Sequence, residues 1–223
     1  GGGRVTIAAR EGERLREAAA RLECASVGLD AREPDQVVAA ARDVVARDGR
    51  LDGLVCCVGS LLLAPAHRTS TEAFDAVVAT NLRSAFGAVR AAAETRRRAG
   101  GSLVLVSSAA ARVGLANHEA IAAAKAGVEG LARSAAATYA PRLRVNVVAP
   151  GLVETRLTEA VTGAEATRRA SEGLHAAGRL GRPGDVAGLM EWLLRPEQDW
   201  VTGQGVGVDG GVWTVGAGAG RER

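Results

Sequence analysis

The amino-acid sequence predicts an α/β fold, a doubly wound parallel sheet (Rossmann-like) in a single domain. Short runs of β-branched and other apolar residues alternate along the chain with alanine-rich segments of helical length. The apolar runs are almost continuous, which is typical of strands that helices cover on both faces. A chain of 223 residues is also long enough to bury one sizeable core.

Strands and helices are predicted in alternation from this pattern. The predicted strands cover 4–10, 24–30, 51–59, 101–109, 143–151 and 203–211. The predicted helices cover 11–22, 34–48, 70–98, 118–139, 158–173 and 183–194. We assign residues 1–215 to the domain and expect 216–223 to form a flexible tail.

The predicted strands end in residues that suit a ligand site. In a doubly wound sheet, ligands bind outside the carboxyl ends of the strands. These ends read AAR, GLD, CCVGS, VSSAA and APGLVET, and they are rich in small, polar and glycine residues. The polar stretch 152–182 is the longest departure from the alternation, and we expect it to form a lid over a substrate.

Composition excludes several classes of partner. The net charge is +3, the basic residues are scattered among nearly as many acids, and only 3% of residues are aromatic, so no nucleic-acid footprint is expected. No apolar run approaches a membrane span, and the N-terminal stretch does not read as a signal peptide. The three cysteines lack the spacing of a disulfide framework or a metal site. We therefore expect a cytoplasmic protein that acts on a small molecule and holds no metal.

One basic residue differs from all the others. Lys125, in the stretch HEAIAAAKAG, is the only lysine among the 28 basic residues. A compact ammonium and a broad guanidinium are not interchangeable in a tight polar site. The alternative is an ordinary solvated lysine on a helix. The exclusive use of arginine elsewhere favours a binding role for Lys125, and the ligand that we expect is a cofactor ribose.

Several motifs, taken together, resemble those of the short-chain dehydrogenase/reductase family. They are SS at 107–108, Lys125, TNLRSAF at 80–86, RVNVVAPGLVET at 144–155, GRPGDVA at 181–187 and WVTGQGVGVDGG at 200–211. Their order and spacing follow the family from about Arg4 to Trp213. The resemblance implies a nicotinamide cofactor and the oxidation or reduction of a small-molecule alcohol or carbonyl.

The resemblance also implies catalytic positions, one of which deviates. The family places a tyrosine thirteen residues after a serine and a lysine four residues beyond it; counted from Ser108, these positions are Ile121 and Lys125. In the family, the tyrosine hydroxyl transfers the proton, the lysine lowers its pKa and holds the ribose, and the serine polarises the carbonyl. Because Ile121 can neither donate nor accept a proton, the site is predicted to be atypical.

Two other residues are expected to serve the proton path. Asn81 matches the family asparagine that bends a helix and holds a relay water behind the lysine. His118 lies one helical turn before Ile121 and is a candidate substitute for the missing hydroxyl, although a histidine at that place also suits a helix start. A water held by Ser108, Lys125 and Asn81 is the other candidate.

Cofactor contacts are expected at several strand ends. Arg10 has no acid before it, which favours NADP(H) over NAD(H), because an arginine accommodates the additional phosphate. Asp30 matches an adenine contact, or else it is a turn residue; Gly59 keeps the close backbone approach in CCVG, where the family reads Asn-Asn-Ala-Gly. Positions that match the nicotinamide side of the family site are Pro150, Gly151 and Thr155. For Thr155, a helix cap is the alternative.

The glycine-rich turn that receives the cofactor pyrophosphate in the family has no counterpart in this sequence. The sequence starts at what resembles the second strand of the family, so it apparently lacks the first βα unit. In the strand order 3-2-1-4-5-6, the first strand is central. Its absence is expected either to press strand two against strand four or to leave two edges unpaired, and to weaken dinucleotide binding.

Three functions follow from these observations. We favour an NADP-linked oxidoreductase with atypical or impaired chemistry. A non-redox enzyme, such as a cyclase, dehydratase or isomerase, could use Ser108 and Lys125 to stabilise an enolate. An inactive subunit could pair with an active relative, because helices 70–98 and 118–139 resemble those of the family's dimer interface. The same helices predict an oligomer, either of this chain alone or with that relative.

Overall fold

The structure is a computed structural model that describes residues 3–96 and 100–215. The predicted tail, 216–223, lies outside these residues. All six predicted strands are present: β1 (Thr6–Ala9), β2 (Ala25–Gly28), β3 (Gly53–Cys56), β4 (Gly101–Val106), β5 (Leu143–Pro150) and β6 (Gly205–Val208). The helices are α1 (Glu13–Leu22), α2 (Pro34–Asp48), α3 (Thr71–Val78), α4 (Ser84–Arg96), α5 (Glu119–Tyr139), α6 (Glu159–Thr162), α7 (Glu165–Leu174) and α8 (Pro183–Leu194).

Four parallel strands form the centre of the molecule, in the order β3-β4-β5-β6. Successive side chains of a strand point to opposite faces. On one face, Leu103 and Val145 pack in a core with side chains of α4 and α5. On the other face, Val104 and Val148 pack against α8. Because both faces are buried, the strands read as continuous apolar runs, and the prediction of a doubly wound parallel sheet is confirmed.

Small residues allow α4 and α5 to pack closely on this sheet. Ala88 and Ala92 of α4 and Ala132 of α5 are almost completely buried. The buried residues of α5 recur at a spacing of three or four, which is the period of one helix face. Lys125 and Glu129 lie within that otherwise apolar face and are buried with it. Their charges therefore lie inside the fold.

The other two strands form a separate sheet. β1 pairs with β2 in parallel, and within the described ranges no ladder joins β1 to β3. Of the two arrangements expected without a central strand, the structure has the one with two unpaired edges. Val55 of β3 is consequently 36% exposed, whereas the strand residues of β4 and β5 are largely buried. The two sheets are connected through helices, since Val38 and Ala41 of α2 pack against Ala91 of α4.

The single helix predicted over 70–98 is two helices, α3 and α4, joined by a π-helical turn over 79–83. Asn81 lies in this turn, and its Nδ2 donates to the carbonyl of Val77 at 3.0 Å. The Ser84 hydroxyl donates to the carbonyl of Thr80 at 2.6 Å. Such side-chain bonds compete for the carbonyls of a regular helix and accompany local changes of its winding.

The predicted lid 152–182 contains two helices, α6 and α7, where the pattern predicted one over 158–173. Gly163 interrupts them, and its N–H closes a last turn on Glu159 at 2.8 Å. The segment returns to its start, since Val153 forms an isolated parallel bridge with Gly181. None of the helices in the two described ranges has the length and apolar character needed to cross a membrane.

Candidate functional site

The carboxyl ends of the central strands and one face of α5 bring the predicted catalytic residues to one edge of the sheet. Gly59 follows β3, Ser108 follows β4, and Gly151 follows β5. Lys125 reaches the same edge from α5, because its Nζ donates to the carbonyl of Val106, the last residue of β4, at 2.9 Å. The parallel arrangement of the strands thus places these residues together, as the doubly wound fold predicts.

Lys125 carries a buried ammonium. The residue is only 6% exposed, and burial lowers the pKa of the ammonium to about 8. The charge interactions with Cys56 and Cys57 raise this pKa, but by less than burial lowers it. Within the residues that the structure describes, no carboxylate pairs with Nζ. The hydrogen bond to Val106 uses one of its three donors. The solvated-lysine alternative is therefore excluded by the geometry.

Gly59 brings Lys125 and Asn81 together. A Cβ on Gly59 would lie 3.2 Å from Oδ1 of Asn81 and 3.6 Å from Nζ of Lys125. A side chain at this position would therefore crowd both polar groups. The structure shows why the turn CCVG ends in glycine: the backbone of Gly59 forms one wall of the space that the Asn81 amide and the Lys125 ammonium face.

Asn81 is held in one orientation by three hydrogen bonds. It is 1% exposed, its Oδ1 accepts the Ser60 N–H at 3.2 Å, and its Nδ2 donates to the Ser60 hydroxyl at 2.9 Å. The bond from Nδ2 to Val77 within the π-helical turn completes the set. The amide therefore joins the π-helical turn to the loop after β3, beside Lys125.

The two serines after β4 have different environments. Ser108 is half-buried and begins a short 3-10 turn, where its Oγ accepts the Ala110 N–H at 3.2 Å, so that its own proton can point elsewhere. Ser107 is buried, and its hydroxyl lies 3.1 Å from the Lys125 carbonyl and 3.0 Å from Oε1 of Glu129. Ser108 is thus available to a ligand, while Ser107 connects β4 to α5.

Ile121 lies one turn before Lys125 on the buried face of α5 and is 4% exposed. Its neighbours are apolar and include Val77, Ala124 and Leu62. The only tyrosine, Tyr139, ends the same helix and packs against the main core. At a rise of about 1.5 Å per residue, it lies roughly 27 Å away along the helix. No tyrosine hydroxyl therefore replaces the one that is missing.

His118 occupies the N-cap position of α5. Its Nδ1 lies 2.7 Å from the carbonyl of Ala116, to which a ring N–H donates. The structure thus shows the helix-start role that was the alternative at this position. Among the residues that the structure describes, no hydrogen bond connects the ring to Ser108, Lys125 or Asn81, and its use as a proton donor stays a prediction.

The two adjacent thiols beside Lys125 are held in their neutral form. Burial raises the pKa of Cys56, which ends β3 and lies in the core. The pKa of Cys57 is raised too, by desolvation and then by the neighbouring Cys56, although part of its side chain reaches the surface. A thiolate is the reactive form of cysteine, so these thiols supply little nucleophilic character.

The two residues expected to contact the adenosine side lie at the ends of the separate sheet. Arg10 follows β1 and is exposed. Asp30 follows β2, and its carboxylate accepts both the backbone N–H and the guanidinium of Arg32. The side-chain bond to Arg32 is the main reason why the pKa of Asp30 falls to about 2, and the charge of Arg10 contributes less. Asp30 therefore acts as a turn residue, which was the alternative to an adenine contact. It also lies close enough to Arg10 for the charge of that guanidinium to lower its pKa.

The positions predicted to face the nicotinamide lie where the predicted lid begins. Pro150 ends β5, and Gly151 is in close contact with the turn after β6, since a Cβ there would lie 3.0 Å from Cα of Asp209. Thr155 begins a 3-10 turn, where its N–H donates to Oγ1 of Thr158 at 3.0 Å. The capping role is thus the one that the structure displays for Thr155, whose side chain is exposed.

Sequence reasoning missed a buried ion pair beneath the site. Nε of Arg112 donates to both oxygens of Glu129 at 2.8 Å, and the guanidinium lies 3.6 Å above the Trp213 ring. Glu129 also accepts from Ser107, next to Ser108. The one available signal was the position of Glu129 four residues after Lys125, on the same helix face. This network supports the turn that carries Ser108.

Comparison with known proteins assigns the chain to a family. Residues 2–213 match the family model described as Enoyl-(Acyl carrier protein) reductase. The 3-oxoacyl-(acyl-carrier-protein) reductase FabG of Thermotoga maritima is 36% identical over 186 residues, which are 82% of this chain and 75% of that protein. The cyclopentanol dehydrogenase of Comamonas sp. is 35% identical over 185 residues, which are 82% of this chain and 74% of that protein.

Solved structures give the same result. A short-chain type dehydrogenase/reductase from Mycobacterium ulcerans has a TM-score of 0.88 and 31% identity over 94% of this chain and 80% of that one. A gluconate 5-dehydrogenase from Burkholderia cenocepacia, solved in complex with NADP and tartrate, has a TM-score of 0.89 and 28% identity over 95% of this chain and 86% of that one. Because the family model matches residues 2–213 and relatives are more than 30% identical, this chain belongs to the short-chain dehydrogenase/reductase family.

Proposed function

We propose that this chain binds NADP(H) and interconverts a small-molecule carbonyl compound and its alcohol at the carboxyl edge of the central sheet. The observation that carries the proposal is the buried ammonium of Lys125, which uses one donor on Val106 and faces the glycine surface of Gly59. Buried donors are normally paired. The hydroxyls of a ribose would pair with the remaining donors, which is the role expected for the only lysine.

Residues on both sheets fit the two ends of such a cofactor. Lys125 and Gly59 would hold the nicotinamide ribose, and Arg10 would meet the phosphate that distinguishes NADP(H) from NAD(H). The gluconate 5-dehydrogenase structure holds NADP, and the two relatives named above are a reductase and a dehydrogenase, which supports the redox function over the non-redox alternative. The nicotinamide, when bound, supplies or accepts a hydride.

The chain's own residues polarise the carbonyl, stabilise the substrate oxygen and supply its proton. The Ser108 hydroxyl is free to donate to the substrate oxygen and to polarise its carbonyl. The charge of Lys125 stabilises negative charge that develops on that oxygen. Ile121 supplies no proton, so the proton comes from a water held between Asn81 and Lys125 or from His118. Turnover is expected to be slow, since a positioned acid contributes about 100-fold or more to such reactions.

The separation of the two sheets bears on affinity. The pyrophosphate of a dinucleotide binds at a glycine-rich turn after a central strand, and the described residues supply neither that turn nor a strand between β1 and β3. Residues 1–223 are therefore expected to bind the cofactor weakly, mainly through the nicotinamide ribose and Arg10. A strand with such a turn, placed between the two open edges, would restore tight binding.

We also propose that the protein functions as an oligomer in the cytoplasm. Two aromatic side chains on consecutive helices, Phe74 of α3 and Phe86 of α4, are 40% and 46% exposed, which supports an apolar contact with another subunit. The three cysteines are unpaired, which fits a reducing compartment. Sedimentation of the protein and of Phe86→Glu tests the assembly, with a shift of the variant toward the monomer expected and equal masses counting against it.

Calorimetric titration with NADPH and NADH tests the proposed function. We expect saturable binding with NADPH preferred, a loss of that preference in Arg10→Ala, and weaker binding of both cofactors in Lys125→Arg. Arg133→Met changes a basic residue on the exposed side of the same helix and serves as the control, with unchanged affinity expected. Absence of binding at millimolar cofactor, or a preference that survives Arg10→Ala, would contradict the assignment.

A further inference from the structure

His175 joins the end of α7 to the start of the lid. It directly follows α7 and is only 4% exposed. Its Nε2 accepts the N–H of Leu152 at 3.1 Å, and its Nδ1 lies 2.6 Å from the carbonyl of Ser171. One ring therefore holds together two parts of the chain that are 23 residues apart, at the point where β5 ends.

These two bonds fix the protonation state of the ring. A carbonyl oxygen only accepts hydrogen bonds, so Nδ1 carries a proton and donates it to Ser171. A backbone N–H only donates, so Nε2 carries a lone pair and accepts from Leu152. The ring is consequently neutral, and the bond to Leu152 exists only in this state.

The ring is also enclosed by the two turns at the carboxyl edge. A Cβ on Gly151 would lie 2.6 Å from Nε2 of His175, and a Cβ on Gly210 would lie 3.3 Å from its Cβ. Two residues after His175, the chain is bonded to the turn after β6, because the Ala177 N–H donates to the carbonyl of Gly210 at 2.9 Å. Movement of the ring would therefore be transmitted to the turns after β5 and β6.

We propose that His175 is a latch that holds α7 at the carboxyl edge of the sheet, and that a proton added at Nε2 releases it. His175 is thus a positioning residue, and its effect on catalysis rests on the proposed function, which places cofactor and substrate at this edge. Protonation replaces the acceptor of the Leu152 N–H by a second N–H, so that two donors face each other. The latch opens reversibly as the pH falls.

The charged groups on the surrounding elements give the imidazolium no partner. Asp209, after β6, accepts the N–H groups of Gly211 and Trp213, both at 2.9 Å. In the lid and in α7, the carboxylates of Glu154 and Glu172 pair with Arg168. No ion pair of the ring occurs in the described part of the chain. A positive charge in this buried place is unfavourable, which favours release over retention of the charged ring.

Hydrogen exchange tests the latch without reference to activity. Exchange would be measured by mass spectrometry at about pH 7.5 and about pH 5.5, with correction for the intrinsic rates. In the unmodified protein we expect protection of peptides over 150–158 and 165–175 to fall about fivefold or more at the lower pH. His175→Gln keeps an acceptor for Leu152 and does not titrate in this range, so its protection should hold; His67→Gln, at an exposed histidine outside the lid, should behave as the unmodified protein.

Equal protection of the unmodified protein at both pH values, or the same loss in His175→Gln, would overturn the proposal. If His175→Gln does not fold, nitrogen-15 spectra of the unmodified protein decide: the latch requires His175 to be neutral with its proton on Nδ1 at about pH 7.5 and charged when protection is lost. NADPH affinity is recorded in parallel. Loss of protection without any cofactor binding would refute the proposed function and leave the latch standing.

Discussion

Replacing the buried ammonium of Lys125 by an apolar side chain of similar length should stabilise the protein at neutral pH. The pKa of Lys125 falls from 10.5 to about 8 in the folded state, mainly because of burial. At about 1.4 kcal/mol per pKa unit, folding opposes the charged form by about 3 kcal/mol. Lys125→Met removes that cost and leaves the carbonyl of Val106 without its donor, at a loss of about 1 kcal/mol. The expected net gain is about 2 kcal/mol near pH 7.

The pH dependence gives the sign of the effect. Between about pH 8 and 10.5 the unfolded state holds the lysine proton while the folded state has released it, so the stability of the unmodified protein rises with pH in this window. Below about pH 8 both states are protonated and the full cost is present. The advantage of Lys125→Met should therefore shrink above about pH 8 and reverse toward pH 10.5. Burial raises the pKa of Cys56 and Cys57 in both proteins, and the charge of Lys125, which lowers both pKa values, acts on them less strongly than burial does.

Urea unfolding of both proteins at several pH values, followed by circular dichroism, measures this difference. Arg133→Met is the matched control, and its free energy of unfolding should stay within about 0.5 kcal/mol of that of the unmodified protein, since its side chain is largely exposed. The reasoning is refuted if Lys125→Met is less stable than the unmodified protein at pH 7, or if the difference between them does not change with pH.

Three further predictions test the site. Ile121→Tyr should raise the rate of NADPH-dependent ketone reduction by about 100-fold. Ile121→Phe adds the ring without the hydroxyl and should not raise it; equal rates of the two variants in stopped-flow assays would contradict the role of this position. Asn81→Ala should lower the free energy of unfolding by about 2 kcal/mol, because buried partners on Ser60 and Val77 are left unpaired, and should reduce turnover. Arg112→Met should cost about 3–5 kcal/mol in unfolding experiments, because the buried Glu129 carboxylate then keeps only the Ser107 hydroxyl and Arg133, at 4.0 Å, as partners. Glu129→Met in addition should recover most of this loss.

The order of the elements could be predicted from the sequence because both faces of the central sheet are covered. That condition gives β4 and β5 their continuous apolar runs, and the alanine-rich helices follow from the close packing on them. The break at 79–83 could not be predicted, since it depends on bonds from Asn81 and Ser84 to carbonyls that a regular helix would use. The half-exposed β1 to β3 differ from the expected buried strands because the sheet is divided beside them.

The candidate site was predictable where spacing along one element determines it. Lys125 stands out as the only lysine, and its place on the apolar face of α5 follows from helical periodicity. Leu152, which donates to His175, and Gly205, which accepts from Arg112, come from distant parts of the chain, and no local pattern indicates them. Asp30 and Thr155 each bond to a neighbour two or three residues away, so their local roles could have been weighed more heavily from the sequence alone.

The division between β1 and β3 gives the molecule two regions of unequal cooperativity. Without a ladder across the gap, the part up to α2 is attached to the rest through the packing of α2 on α4, where Val38 and Ala41 contact Ala91, and through surface ion pairs such as Arg90 with Asp35 at 2.9 Å. Exposed ion pairs contribute little, at most about 1 kcal/mol each. The part of the chain up to Asp48 should therefore open in a sub-global step below the global unfolding free energy, while the region around Lys125 remains folded.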